Sequence, residues 1–229
     1  VELYNGTAWS ALTDAPTNYQ SGGSSGKIDG ALFFGGFNLP NSQCLVVGGG
    51  NEICTNTYKC SLPNPLGAWS ISGNLITGRI KLSGNSSSTG AGIVIGGCNQ
   101  SGTMYSCTEE YNGSSWSAGG AMINARGLLG GFGTQDAQVA AGGSTSMPTN
   151  TSDLTEEYNG TAWSAATAMP VSMREIGRAG TTAHAGLVFT GGSNKTQEYD
   201  GTNWSAGGNF INASVNPGGF GEANAAVKI

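Results

Sequence analysis

The side chains in this 229-residue chain best suited to chemistry are carboxylates and arginines that recur at fixed places. Glu109-Glu110-Tyr111 and Glu156-Glu157-Tyr158 are matched by Glu198-Tyr199, and carboxylates gathered at one cleft would supply the acid and the nucleophile or base of a glycoside hydrolase. Arg79, Arg126 and Arg174 stand at one repeat position, ten or eleven residues after a tryptophan. Convergent guanidinium groups there would grip an anion or a sugar carboxylate. His184, between Ala183 and Ala185, is the single histidine. None of the five cysteines has metal-ligand spacing with it, so neither a metal site nor a cofactor is expected.

These groups are set in a repeat. Tyr4-Asn5-Gly6-Thr7-Ala8-Trp9-Ser10 returns as Tyr111 to Ser117, as Tyr158 to Ser164 and, with Asp200 in place of Asn, as Tyr199 to Ser205; a degenerate copy keeps Tyr58 and Trp69. Recurrence at roughly 40 to 60 residues marks a repeat architecture. A carboxylate repeated in every unit is spread around the molecule and cannot converge with its copies on one bond. The Glu residues therefore read as solvated strand residues, and no catalytic residue is assigned. The arginines stay open between bonding to a neighbouring unit and lining an anion or sugar site. Trp9, Trp69, Trp116, Trp163 and Trp204 read as packing wedges in preference to sugar-stacking platforms.

Each unit reads as four strands. The first is Gly-rich (Ala31 to Phe34, Ile80 to Leu82, Leu128 to Phe132, Ile176 to Gly180, Pro217 to Phe220). The second is β-branched and closes on a glycine pair, as in Ile93-Val94-Ile95-Gly96-Gly97, with Leu45 to Gly49 as its copy in the first unit. The third carries Glu-Tyr and the fourth begins at the Trp. Asn-Gly between third and fourth predicts a two-residue type I′ hairpin. Four-stranded sheets that cover one another radially make a β-propeller. The expected fold is all-β: a single domain over residues 1–229, a five-bladed β-propeller of four-stranded antiparallel blades. Val1 to Tyr4 reads as a third strand and Ala225 to Ile229 as a second, so the ring is expected to close by pairing N-terminal and C-terminal strands.

The glycine pair, Tyr and Trp at these intervals resemble kelch repeats over nearly the whole chain. The Glu-Glu-Tyr-Asn-Gly-Thr-x-Trp arrays are similar to those of kelch-like virion proteins of marine bacteriophages. That resemblance implies a non-enzymatic interaction or structural module, a virion decoration or host-adsorption protein within a larger assembly. Its partners would be other virion proteins or a host surface glycan or protein, and its place extracellular or on the virion surface. Kelch-type propellers include copper-radical oxidases, but these need two His ligands and a Tyr joined to Cys, and one histidine is too few. The alternative is a lectin; a glycoside hydrolase ranks below it.

Composition agrees with short strands and tight turns: 40 glycines and 10% charged residues. A formal charge of −5, with nine scattered Lys and Arg, argues against nucleic acid. No apolar run is long enough to span a bilayer, so membrane insertion is not expected. The chain opens on Val1, which fits a removed leader or a piece of a longer product.

Function on a repeat scaffold is expected where the units diverge. Three inserts do so: Asn18 to Lys27; Cys98 to Cys107, with Asn99, Met104 and Tyr105; and Ser144 to Asp153, with Met147. Second-to-third and fourth-to-first connections open on one face of such a sheet, so Arg79, Arg126, Arg174, Asn99, Met104, Tyr105 and Met147 are the candidate partner-binding residues. Cys98 and Cys107 flank one loop and are expected to bridge its neck, with Cys44 and Cys60 as a second disulfide pair; buried thiols are the competing reading.

Overall fold

The computed structural model describes residues 68–88, 90–147, 150–190 and 193–209 and, outside these, the strands named below. In chain order they are β1 (Glu2–Tyr4), β2 (Trp9–Ala11), β3 (Tyr19–Gln20), β4 (Gly23–Lys27), β5 (Gly30–Phe34), β6 (Phe37–Asn38), β7 (Thr57–Ser61), β8 (Ala68–Ser72), β9 (Ser83–Ser88), β10 (Ala91–Ile95) and β11 (Thr108–Tyr111). There follow β12 (Trp116–Ala118), β13 (Gly130–Gly133), β14 (Gln138–Ala141), β15 (Thr155–Tyr158), β16 (Trp163–Ala166), β17 (Ile176–Thr182), β18 (Ala185–Thr190), β19 (Thr196–Tyr199), β20 (Trp204–Ala206), β21 (Gly219–Glu222) and β22 (Ala225–Lys228). No helix occurs among the described residues, and the fold is all-β.

Three consecutive four-stranded antiparallel sheets form its centre: β9 to β12, β13 to β16 and β17 to β20, each an up-and-down meander. A sheet of the same kind, β4-β5-β7-β8, precedes them, and the hairpins β1-β2 and β21-β22 and the two-stranded pair β3-β6 complete the described strands. First strands of successive sheets are neighbours: β9 packs on β4 and β13, β13 on β17, and β17 on β21.

The core therefore lies between sheets. On β14, Ala140 faces one side, among Ile93, Ile95, Tyr158 and Trp163, whereas Val139 and Ala141 face the other, among Met173, Val188, Tyr199 and Trp204. The alternation of a strand gives each sheet two buried faces, which is why β14 reads Val-Ala-Ala and not as alternating polar and apolar. Gly186 is glycine because Phe132 of the preceding sheet fills its space: a Cβ there would lie 2.1 Å from the ring.

The repeat Tyr lies on the third strand of each unit, and the fourth strands begin at the Trp as expected, except that β8 begins at Ala68, one residue before Trp69. The first strands do not all begin where the sequence places them. Ile80 to Leu82 precedes β9 and does not form it. In the first four-stranded sheet the insert Asn18 to Lys27 contains β4 itself, and Gly30–Phe34 pairs with β7 as the second strand. Leu45 to Gly49, expected in that role, lies outside the described residues. Ala225–Lys228 does form a hairpin with Gly219–Glu222, as a second strand should.

The Asn-Gly turn also closes differently. Asn112 N–H donates to Ser115 O at 3.1 Å, so Gly113 and Ser114 are the central pair, and only the glycine takes positive φ, at 99°. The Asn112 side chain is the reason: its Oδ1 accepts from Ser114 N and Ser115 N, both at 3.0 Å. Asn159 does the same for Thr161 and Ala162, and Asp200 for Thr202 and Asn203. Such an Asx cap needs Asn or Asp ahead of the glycine but no left-handed backbone from it. Those amide hydrogen bonds, chiefly from Asn203, hold the Asp200 carboxyl below its usual range.

Candidate functional site

The repeated Tyr and Trp join one sheet to the next. Trp163 Nε1 donates to Thr108 Oγ1 at 2.9 Å and Trp204 Nε1 to Thr155 Oγ1 at 3.0 Å, each across to the preceding sheet. Tyr158 Oη donates to Glu110 Oε1 at 2.5 Å and Tyr199 Oη to Glu157 Oε1 at 2.8 Å, in the same direction. All six aromatic side chains described at these positions (Tyr111, Trp116, Tyr158, Trp163, Tyr199 and Trp204) are at least nine-tenths buried. The wedge reading describes them; they offer no open stacking platform.

The first Glu of each Glu-Glu-Tyr is not solvated, contrary to expectation. Glu109 and Glu156 are buried, and each faces a buried arginine: Arg79 Nη1 to Glu109 Oε1 at 2.7 Å, Arg126 Nη2 to Glu156 Oε1 at 2.8 Å. The same carboxylates accept the amides of the connection that carries the arginine, Ile76 N and Thr77 N for Glu109, Ile123 N and Asn124 N for Glu156. Arg126 also donates to the carbonyls of Gly142 and Leu154. Burying two charges is costly unless the remaining donors and lone pairs are used; both carboxylates are fully engaged, whereas Nε and Nη2 of Arg79 and Nε of Arg126 are buried without a hydrogen-bond partner. These pairs clamp the connection to its following sheet. Of the remaining acids of this motif, Glu110 and Glu157 take the tyrosine hydroxyls, and Glu198 is the exposed one.

Arg174 does not belong to this set. Counting ten residues from Trp69, Trp116 and Trp163 gives Arg79, Arg126 and Met173. The structure follows that count: Gly97 N donates to Arg126 O, and Gly143 N donates to Met173 O. Met173 is 2% exposed, and Gln197 stands in the place of Glu109 and Glu156. The neutral amide suits this unit because Pro170, in the position of Ile76 and Ile123, has no N–H to give. Gln197 instead accepts from Val171 N and donates to Val171 O. Arg174, one residue on, is half-buried, with its Nε 3.9 Å from Glu175 Oε1.

The connections form one face, as the strand order requires. Fourth-to-first segments are laced to second-to-third segments by backbone bridges: Ile80 with Cys98, Gly127 with Ser144, Met173 with Ser152. On the opposite face the glycine of each third-to-fourth turn abuts the first-to-second turn, Gly113 on Gly90, Gly160 on Asp136, Gly201 on His184. His184 is thus an exposed turn residue.

On the loop face, Asn99 shapes its own turn, its Oδ1 accepting from Ser101 Oγ and Thr103 N. Tyr105 is held through its backbone to Gly97 O and by Arg126 N. Met104 packs towards Gly127, and Met147 towards Gly102 and Lys81 Nζ, so the two inserts touch. The structure therefore brings Met104, Tyr105 and Met147 together and withdraws Arg79 and Arg126 into the interior. The Cys98–Cys107 bridge is not formed: both are free thiols. The pairing puts Cys98 opposite Met104, and Cys107 O receives Gly96 N, two residues away from Cys98. Cys107 Sγ accepts from Arg79 Nη1 at 2.9 Å, and burial raises both thiols. Cys44 lies outside the described residues, and of Cys60 only its place on β7 is described.

One cavity of about 300 Å³ opens on this face, between the connection 170–174 and the end of β18. Arg174 and Lys195 bring two cations to it, Thr151, Ser172, Thr190 and Ser193 bring hydroxyls, and Val171 and Met173 give it an apolar floor. Of these lining residues the sequence reading named Arg174, by its distance from the Trp, and did not name Lys195, the single lysine of its connection. Arg178 on β17 does not line this cavity; it donates to the carbonyl of Gly84 on β9, and burial lowers it to about 10.

No protein-family model matches the chain, and no curated protein matches it in sequence. Among solved structures it is similar to the structure of YjhT, with a TM-score of 0.70 and 12% identical residues over 91% of this chain and 71% of that one. At that identity the likeness is one of fold.

Proposed function

We propose that the chain is a five-bladed kelch-like β-propeller, its fifth blade assembled from β21-β22 and β1-β2, and that it serves as a non-enzymatic interaction module. In this reading it decorates a phage particle or mediates adsorption, in contact with other virion proteins or a host surface partner. The observation that carries it is the distribution of exposed apolar side chains. Ile76, Ile123 and Val171, at 61%, 59% and 39% exposure, are the exposed large hydrophobics among the described residues, and all three sit on fourth-to-first connections of the loop face. Apolar side chains repeated on one face and left in water mark a contact surface. The repeat's carboxylates support the non-enzymatic part, because Glu109, Glu156, Glu110 and Glu157 are engaged in holding sheets together.

Quantitative mass spectrometry of purified particles tests this reading: the chain is expected at fixed stoichiometry with a capsid or tail protein, and Ile76→Asp combined with Ile123→Asp is expected to release it. Particles free of the chain overturn it. The cavity at Arg174 favours a second reading, a lectin acting through the same face.

A further inference from the structure

In two sheets the arginine ten residues after the Trp is sealed against a carboxylate; in the β17 to β20 sheet that slot holds Met173, the carboxylate is Gln197, and an arginine appears one residue later at the cavity wall. The clamp in this unit works without charge, since Gln197 takes both polar groups of Val171. Arg174 lines the cavity with its Nε 3.9 Å from Glu175 Oε1, and with Lys195 it brings two positive groups to the lining.

We propose that this cavity binds one pyranose unit carrying an anionic group, carboxylate or sulfate; the inference rests on the lectin reading above. The volume, about 300 Å³, suits a single sugar ring. The guanidinium and ammonium supply charge-assisted hydrogen bonds to the anion. The hydroxyls of Thr151, Ser172 and Ser193 match sugar hydroxyls, and Val171 offers an apolar surface to the C–H face of the ring. An inorganic anion would use the cations and leave the rest of the lining unused.

NMR titration of the whole chain with glucuronate, glucose 6-sulfate, glucose and inorganic sulfate, each alone, tests the assignment. Both charged sugars are expected to bind at least about tenfold more tightly than glucose or sulfate, a difference one charge-assisted hydrogen bond can supply. Arg174→Ala and Lys195→Ala should each weaken the charged sugars by about tenfold, Arg174→Lys less, and Lys228→Ala, outside the cavity, not at all. Thermal melting of each variant separates loss of binding from loss of fold. Three results overturn the proposal: no charged sugar binds the parent chain; Arg174→Ala and Lys195→Ala bind as the parent does; or sulfate binds as tightly as the sugars, so that charge alone is read. None of these touches the particle stoichiometry that tests the module reading itself.

Discussion

Tyr158 and Tyr199 each place a phenol between sheets, where only the neutral form suits the surroundings. Burial, with the hydrogen bond to Glu110, pushes the Tyr158 hydroxyl up to about 12, and burial with Glu157 raises Tyr199 as well. In the unfolded chain a tyrosine titrates near 10. A folded value above the unfolded one means that this stabilisation is complete below about pH 10 and is lost as pH rises through the folded value, because the unfolded chain releases its protons first. Urea midpoints, in reductant to protect the thiols, should therefore fall between about pH 10 and 12. The Tyr158→Phe and Tyr199→Phe double variant, weaker at neutral pH, should lose less over that interval. Parallel curves for parent and variant would show that the two phenols do not carry the alkaline sensitivity. At this scale the sequence was informative about Tyr and Trp, whose size demands burial wherever they stand. It was uninformative about Glu109 and Glu156, because a carboxylate is buried only when a partner arrives from 30 residues away, and local pattern does not show that arrival.

Strand order was legible because hairpin signals and β-branched runs are local, and the common face of the connections follows from antiparallel order alone. Two features escaped. The strand Gly23–Lys27 reads Gly-Ser-Ser-Gly-Lys, a composition that suits a loop, and it becomes a strand by pairing with Gly30–Phe34. The arginine slot was blurred by allowing ten or eleven residues from the Trp; holding the count to ten separates Arg79 and Arg126 from Arg174. The clamp itself gives a test, because one sheet already runs it without charge. Arg126→Met leaves Glu156 buried without its cation, Glu156→Gln leaves Arg126 buried without its anion, and each should cost about 3 to 5 kcal/mol. Together they put the Met and Gln side chains in this unit and leave no buried charge unpaired, although Ile123 keeps the N–H that Pro170 lacks, so the double variant should be less destabilised than the sum of the singles by about 2 kcal/mol or more in urea unfolding. Additive losses would mean that the pair and its neutral replacement are not equivalent solutions to one packing problem.

At the scale of the molecule the repeat implies a ring, and the described sheets supply a stack of first strands from β4 through β9, β13 and β17 to β21. What joins β22 to β1 is the step that makes it closed. The sheets with the same two-residue turn set the expected register: Ser88 pairs with Ala91 and Gly92 with Tyr111, Thr182 pairs with Ala185 and Gly186 with Tyr199, so that Glu222 paired with Ala225 places Ala226 opposite Tyr4 and Val227 opposite Leu3. Directly opposed residues on antiparallel strands fall within the Cα separation a disulfide tolerates. Leu3→Cys with Val227→Cys should then oxidise within one molecule, giving a peptide linked through positions 3 and 227 and a faster-migrating band without reductant. Tying the ends of so long a loop should raise the melting temperature by several degrees, since the constraint on the unfolded chain is worth about 4 kcal/mol or more before strain. The single-cysteine variants control for the five native cysteines. If the two positions link only between molecules, or not at all, β22 and β1 do not share a sheet. The stack is then an open arc, with its first and last strands free to take further blades.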